Sequence, residues 1–195
     1  MTEYNNLLNN IRRYVDLTEE EAWQLTGIIQ KKRVKKRQFI VQPGFVCQHR
    51  NYVEKGAFRL YYLDMDGKEH TVSIGVEDWF VSDFYSYITQ TPATLYAEAL
   101  EDSIIFQLPY EAIEDLCKKI HNLSEYFRRT TERAFAYSRR RVISNISQTA
   151  EERYAAYLEK YPHIASRVPQ YILASYLGIS AEFLSKIRSR KGKKS

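Results

Sequence analysis

The apolar residues change rhythm along the chain, and each change marks a different kind of element. Thr18 followed three residues later by Glu21 is a capping-box pattern. Trp23, Leu25, Ile28 and Ile29 behind it supply the apolar face of a helix running to about Lys31. From Phe39 to Leu108 the texture shifts to short runs rich in aromatic and branched residues, set between turn signals. Pro43–Gly44 marks one turn, and the run DMDG at 64–67 reads as a hairpin between YYL and HTVSI. Residues 52–53, 58–62, 95–99 and 104–108 are further strand candidates. Short strands at this spacing, with one helix before and long helices after, predict an α+β chain. Its N-terminal part is an antiparallel β-roll or jelly-roll barrel.

Helical rhythm returns after Pro109, with Tyr110, Ile113, Leu116 and Ile120 at spacings of three and four. Residues 123–146 contain neither Gly nor Pro, which predicts one helix of about six turns. Leu123, Phe127, Thr130, Ala134, Tyr137 and Arg141 follow a 4-3-4-3-4 spacing, the seam of a coiled coil, although Thr130 and Arg141 are poor seam residues. Thr149 and Glu152 form a second capping box, opening a helix that carries Tyr154, Tyr157 and Leu158 and stops at Pro162. A short link, HIASR, leads into VPQYILASYLGISAEFLSKIRSR at 168–190. Pro169 suits a first helical position, and Ile172, Leu173, Tyr176 and Leu177 make one apolar stripe. Gly178 follows where a helix end wants positive φ. Ser180 caps a second helix whose Phe183, Leu184 and Ile187 face back onto the first. Two amphipathic helices around a Gly-containing turn are the helix-turn-helix signature. With Ile172, Leu173, Leu177, Ile179, Leu184 and Ile187 buried, Ala181, Glu182, Ser185, Lys186 and Arg188 point outward. An ordinary helical hairpin with a solvated outer face has the same spacing, so charge must separate the two readings.

Net charge is +5, but its distribution is lopsided. Residues 1–120 hold 14 Lys/Arg against 18 Asp/Glu, while residues 121–195 hold 15 against 6, an excess that points to a polyanionic partner. The run KKRVKKR at 31–37 sits in the acidic half and leads into a strand pattern, so it reads as a solvated helix end and strand edge. No apolar run approaches the roughly 18 residues of a membrane span, and the first residues lack the apolar core of a leader. The expectation is a cytoplasmic protein without membrane contact. Cys47 and Cys117 fit no metal spacing. The four histidines are isolated, and no nucleophile elbow or phosphate-cradling glycine loop is present. No metal, cofactor or catalytic activity is expected.

The order of helix, small barrel, long seam helix, short helix and helix-turn-helix resembles the Crp/Fnr family of bacterial transcription regulators. The likeness is carried by EKGAFRLYYLDMDGKEHTV, AEALEDSIIFQLP, TAEERYAAYLEKYP and RVPQYILASYLGISAEFLSKIR. It implies a cyclic-nucleotide-binding-like sensor domain over 1–120, a dimerisation helix over 121–146 and a DNA-binding domain over 147–195. It further implies a homodimer on double-stranded DNA, with recognition helices in successive major grooves, and RNA polymerase as a possible partner. Position by position it puts Ala181, Glu182 and Lys186 at base-reading places. Glu182 would accept from a cytosine amino group, and Lys186 would donate to guanine or phosphate. Gln170, Ser180, Ser185, Arg188 and Arg190 become phosphate-positioning candidates. Ala181 replaces a frequent Arg, Phe183 replaces a small hydroxyl residue, and the winged hairpin usual in the family is not expected. The family's phosphate-holding Gly-Glu and Arg-Ser pairs fall on Val81–Ser82 and Ala93–Thr94, so its guanidinium is missing and cyclic AMP is not expected to bind. Two separated cysteines cannot supply the cluster of the oxygen-sensing branch. Trp79, Ser82, Phe84, Tyr85, Thr94 and Tyr96 would line a pocket for some other, unknown effector, or simply fill the barrel. The rival reading is a ligand-binding or protein-interaction barrel whose helical tail has lost DNA binding.

Overall fold

The computed structural model describes residues 2–192, with side chains from residue 3 to residue 190. Lys193 and Lys194, counted above in the basic half of the chain, lie outside the described residues. Two helices open the chain, α1 (Asn5–Arg12) and α2 (Glu19–Gly27). The capping box at the start of α2 forms in both directions. Glu21 N–H donates to Thr18 Oγ1 at 3.2 Å and Thr18 N–H to Glu21 Oε2 at 2.8 Å. The helix nevertheless stops at Gly27, about a turn short of its expected end, because residues 30–34 are drawn into the first strand. Ala22 and Leu25 carry its burial, and Trp23 is 66% exposed.

Seven strands follow: β1 (Gln30–Val34), β2 (Phe39–Val41), β3 (His49–Lys55), β4 (Ala57–Leu63), β5 (Glu69–Val76), β6 (Tyr96–Ala99) and β7 (Ser103–Pro109). A short helix, α3 (Phe84–Thr89), lies between β5 and β6. They form two antiparallel sheets, ordered β1-β7-β3 and β2-β6-β4-β5. Alternation sends Val53 and Ile105 of one sheet against Phe58, Leu60 and Ala97 of the other, which gives the interior of a β-roll. The basic run supplies the edge strand β1, and its Lys31 and Lys35 pair with Glu3 and Asp102. The β3–β4 turn depends on Gly56. Its φ is +114°, and a Cβ there would stand 2.0 Å from Ser103 Oγ.

The outer face of each sheet is covered by helices. Tyr52 and Phe106 pack on α1, α2, α4 (Tyr110–Lys119) and the first turns of α5 (His121–Ser147). Ala57, Ile74 and Val76 pack on α6 (Ala150–Lys160), α7 (Pro162–Arg167), α8 (Gln170–Leu177) and α9 (Ala181–Gly192). Residues 163–167, expected as a link, are instead the short helix α7, which Pro162 opens from the position where its missing N–H costs nothing.

The seam expected along α5 needs correction. Leu123 and Phe127 are 1% and 6% exposed within the single chain, because they close the core between α5 and the roll. Thr130 bonds its hydroxyl to the Tyr126 carbonyl at 2.9 Å, and Arg141 turns inward to β5. Ala134 and Tyr137 remain exposed, with Lys160 Nζ 4.1 Å from the Tyr137 ring. The apolar side chains that α5 leaves uncovered are Phe135, Val142, Ile143 and Ile146, between 54% and 81% exposed.

Candidate nucleic-acid interface

The helix-turn-helix is assembled by local chemistry. Pro169 sits just before α8, and its carbonyl accepts the Ile172 and Leu173 amides at 3.0 and 3.1 Å. Gly178 ends the helix at φ +70°, with the Ile179 amide closing back on the Ala174 carbonyl at 3.0 Å. Ser180 Oγ accepts the Phe183 amide at 3.2 Å, which starts α9. Leu184 and Ile187 then bury against Ile172, Leu173 and Leu177, as their spacing predicts, while Ile179 is half-buried. Phe183 does not join them. It is 39% exposed, so the outer face carries an aromatic ring that the apolar pattern had placed inside.

Ala181, Glu182, Ser185, Lys186, Arg188 and Arg190 all lie exposed on α9, and Gln170 is exposed at the start of α8. Ser180 is exposed too, but its hydroxyl is engaged as the cap. The Glu182 carboxyl is held below the usual carboxylate range, first by its own backbone N–H and then by the Ser180 hydroxyl. It is therefore an ionised acceptor, with Lys186 one turn on as donor. Together they set an acceptor and a donor on one exposed face of α9.

Much of the positive charge counted in residues 121–195 has structural work instead. Arg128 and Arg129 pair with Glu125, and Arg128 also with Glu132. Arg153 donates to the Leu177 carbonyl at 3.0 Å and ties α6 to the end of α8. Arg167 reaches Glu77 at 2.8 Å and also pairs with Glu101, fixing α7 to the roll. Burial alone would raise the Glu77 carboxyl, but the Arg167 fork and the Gly56 N–H outweigh it and bring it below 4.5. Among the described residues Arg141 meets no carboxylate. It donates to the Val72, Thr71 and Tyr176 carbonyls and lies 4.1 Å from the Tyr176 ring centre, which joins α5, β5 and α8. Ser175 Oγ completes the junction, accepting from Thr71 N–H at 2.9 Å and donating to the Glu69 carbonyl at 3.1 Å. Sequence reasoning missed these roles. The one signal was that Arg141 made a poor seam residue.

The six residues proposed for an effector pocket are not gathered into one. Trp79 meets the edge of Tyr161 at 5.7 Å, Tyr85 is 70% exposed, and Tyr96 stacks on Tyr61 at 5.0 Å. Phe84 is half-buried near Arg50, and Thr94 is exposed. Ser82 is buried, accepting from Asn51 N–H at 3.1 Å and donating to the His49 carbonyl at 3.0 Å. A cavity of about 250 Å³ opens in the roll between Phe39, Val41, Phe45, Cys47 and His49, beside the residues that Ser82 and Tyr96 contact. Burial raises the thiols of Cys47 and Cys117 above their ordinary value, which disfavours the reactive thiolate. Among the described residues no three His, Cys, Asp or Glu side chains gather as metal ligands, and no helix is long and apolar enough to cross a membrane.

The comparisons agree with this geometry. Residues 31–120 match the family described as cyclic nucleotide-binding domain. Regulatory protein HlyX of Actinobacillus pleuropneumoniae is 25% identical over 186 residues, covering 89% of this chain and 77% of that protein. The structure of FixK2 from Bradyrhizobium japonicum superposes with a TM-score of 0.76 at 17% identity, over 86% of each chain. A regulator of the Crp/Fnr family from Eubacterium rectale gives 0.71 at 19%, over 91% of this chain and 85% of that one. A sensor-type roll, a long connecting helix and a helix-turn-helix in one polypeptide define the class of two-part, DNA-binding transcription regulators. Within that class the chain is similar over most of its length to regulators of the Crp/Fnr family.

Proposed function

We propose that the chain acts in the cytoplasm as a homodimer that binds a two-fold-symmetric DNA site without cyclic AMP, as a regulator and not as a catalyst. The observation that carries this reading is the outer face of α9, where Glu182, Ser185, Lys186 and Arg188 stand exposed on a helix whose back is fully buried. In this reading residues 1–120 are the sensor part, residues 121–146 join the two copies, and residues 147–195 read DNA. Pairing along α5 is supported by Phe135, Val142, Ile143 and Ile146, an uncovered apolar face on the second half of a 27-residue helix. Two heads held this way would place α9 in major grooves about 34 Å apart. RNA polymerase is the natural partner of a regulator so bound. Selection from a random duplex pool, with purified protein and no added effector, tests the reading. Enrichment of a symmetric site with half-sites one helical turn apart is the expected result. A monomer with no salt-dependent DNA affinity would instead favour the barrel-module reading, for which the exposed Phe183 and the short Ala181 speak.

A further inference from the structure

A cyclic-nucleotide-binding roll must supply donors for the ligand's phosphate, and in this chain the donors that converge beside α3 are already taken. Asp83 precedes α3 and is 2% exposed. Its Oδ1 accepts the Ser86 amide at 3.1 Å, and its Oδ2 accepts the amides of Thr94 and Leu95 at 2.9 and 3.1 Å. Two segments eleven residues apart in sequence thus close on one buried carboxylate, with no Lys, Arg or His among its hydrogen-bond partners in the described residues. The neighbouring hydroxyls are engaged as well. Ser86 Oγ accepts from Cys47 N–H at 2.9 Å and donates to the Thr91 carbonyl at 2.6 Å, and Ser82 is held by Asn51 and His49. The Arg50 guanidinium lies against the rings of Phe127 and Tyr87, at 4.5 and 4.7 Å.

We propose that Asp83 is the roll's own resident anion: it occupies the place an effector phosphate would need and holds α3 against the start of β6 with no external ligand. A second anion brought to the same amides would find each N–H already given to Asp83, and a buried like charge within a few ångströms. The residues present therefore do not fit a cyclic nucleotide. This inference deepens the proposed function, since it gives the physical cause of effector independence.

Full-length protein and its Asp83→Ala and Asp83→Asn variants are compared by amide hydrogen exchange at Ser86, Thr94 and Leu95. Operator affinity is measured with and without millimolar formate, inorganic phosphate or cyclic AMP. The native chain is expected to keep all three amides protected and to ignore every added anion. Asp83→Ala should lose protection at least tenfold at all three amides and regain it with formate, which replaces the missing carboxylate. Asp83→Asn, which fills the space but can turn its oxygen to only one side and must set its N–H₂ against a donor on the other, should lose protection on one side without rescue. Unchanged exchange in Asp83→Ala, loss that formate does not restore, or binding of cyclic AMP by the native chain each overturns the proposal. Failure of the native chain to bind any operator would sink the functional reading alone, because the exchange measurements do not depend on DNA.

Discussion

Lys186 and Gly178 show how differently single residues serve the same interface. Lys186 is exposed on α9, and among the described residues no hydrogen bond or ion pair ties it to the fold. Lys186→Ala should leave the melting curve unchanged and weaken operator binding by about 1–3 kcal/mol if it reads a base. If it contacts only phosphate, the loss is uniform across sequences and the salt slope falls by about one. Gel-shift titrations at several salt concentrations separate the two. Gly178 is the opposite case. A methyl group there meets no atom within 4 Å, so Gly178→Ala costs only the strain of holding a side chain at φ +70°. The expected loss is about 1 kcal/mol of stability, read by denaturant titration, with DNA contacts intact in whatever remains folded.

At the level of elements, α5 has two jobs that its spacing does not distinguish. Its first half is core: Leu123→Ala should destabilise the folded chain by about 2–5 kcal/mol whether or not a partner is present. Its second half is held by Arg141 but leaves an apolar face uncovered: Ile143→Glu with Ile146→Glu should leave the fold intact and yield monomers in sedimentation experiments. A heptad repeat records that one side of a helix is apolar and cannot say whether the surface covering it belongs to the same chain. That is why the spacing could not show that Leu123 and Phe127 are covered by their own chain. The helix-turn-helix was legible because its determinants are local, namely a cap at Ser180, a positive φ at Gly178 and a 3.6-residue stripe. The existence of the strands was legible too, from turns such as the one closed by the Asp64 side chain on the Lys68 amide at 2.9 Å. Their sheet order, the helix α1 and the role of Asp83 were not. Each depends on pairing between segments that only the folded chain brings together, and no residue pattern near position 83 announces amides at 94 and 95.

For the whole molecule the decisive feature is how the reading head is fixed to the roll. The Arg167 fork on Glu77 keeps that carboxyl below its ordinary value of 4.5 in the folded state. A carboxyl lowered on folding adds stability above the unfolded value, and that stability is lost as pH falls through the folded one. The junction should therefore hold at neutral pH and loosen as the solution is acidified below about 4.5. Glu77→Gln should flatten the fall of the thermal midpoint across that range, and an unchanged slope would show that the fork does not couple head to roll. Arg141 has a different consequence, because it fastens α5, β5 and α8 at one point. If two copies pair along α5 as proposed, a head pinned to that helix leaves little torsional play between the two outer faces of α9. One base pair added between half-sites moves the second by about 3.4 Å and turns it by about 34°. The native dimer should reject such a site sharply, whereas Arg141→Ala should accept both phasings at lower affinity. Intolerance of operator phase would then be set by a side chain that bonds only to carbonyls of its own chain.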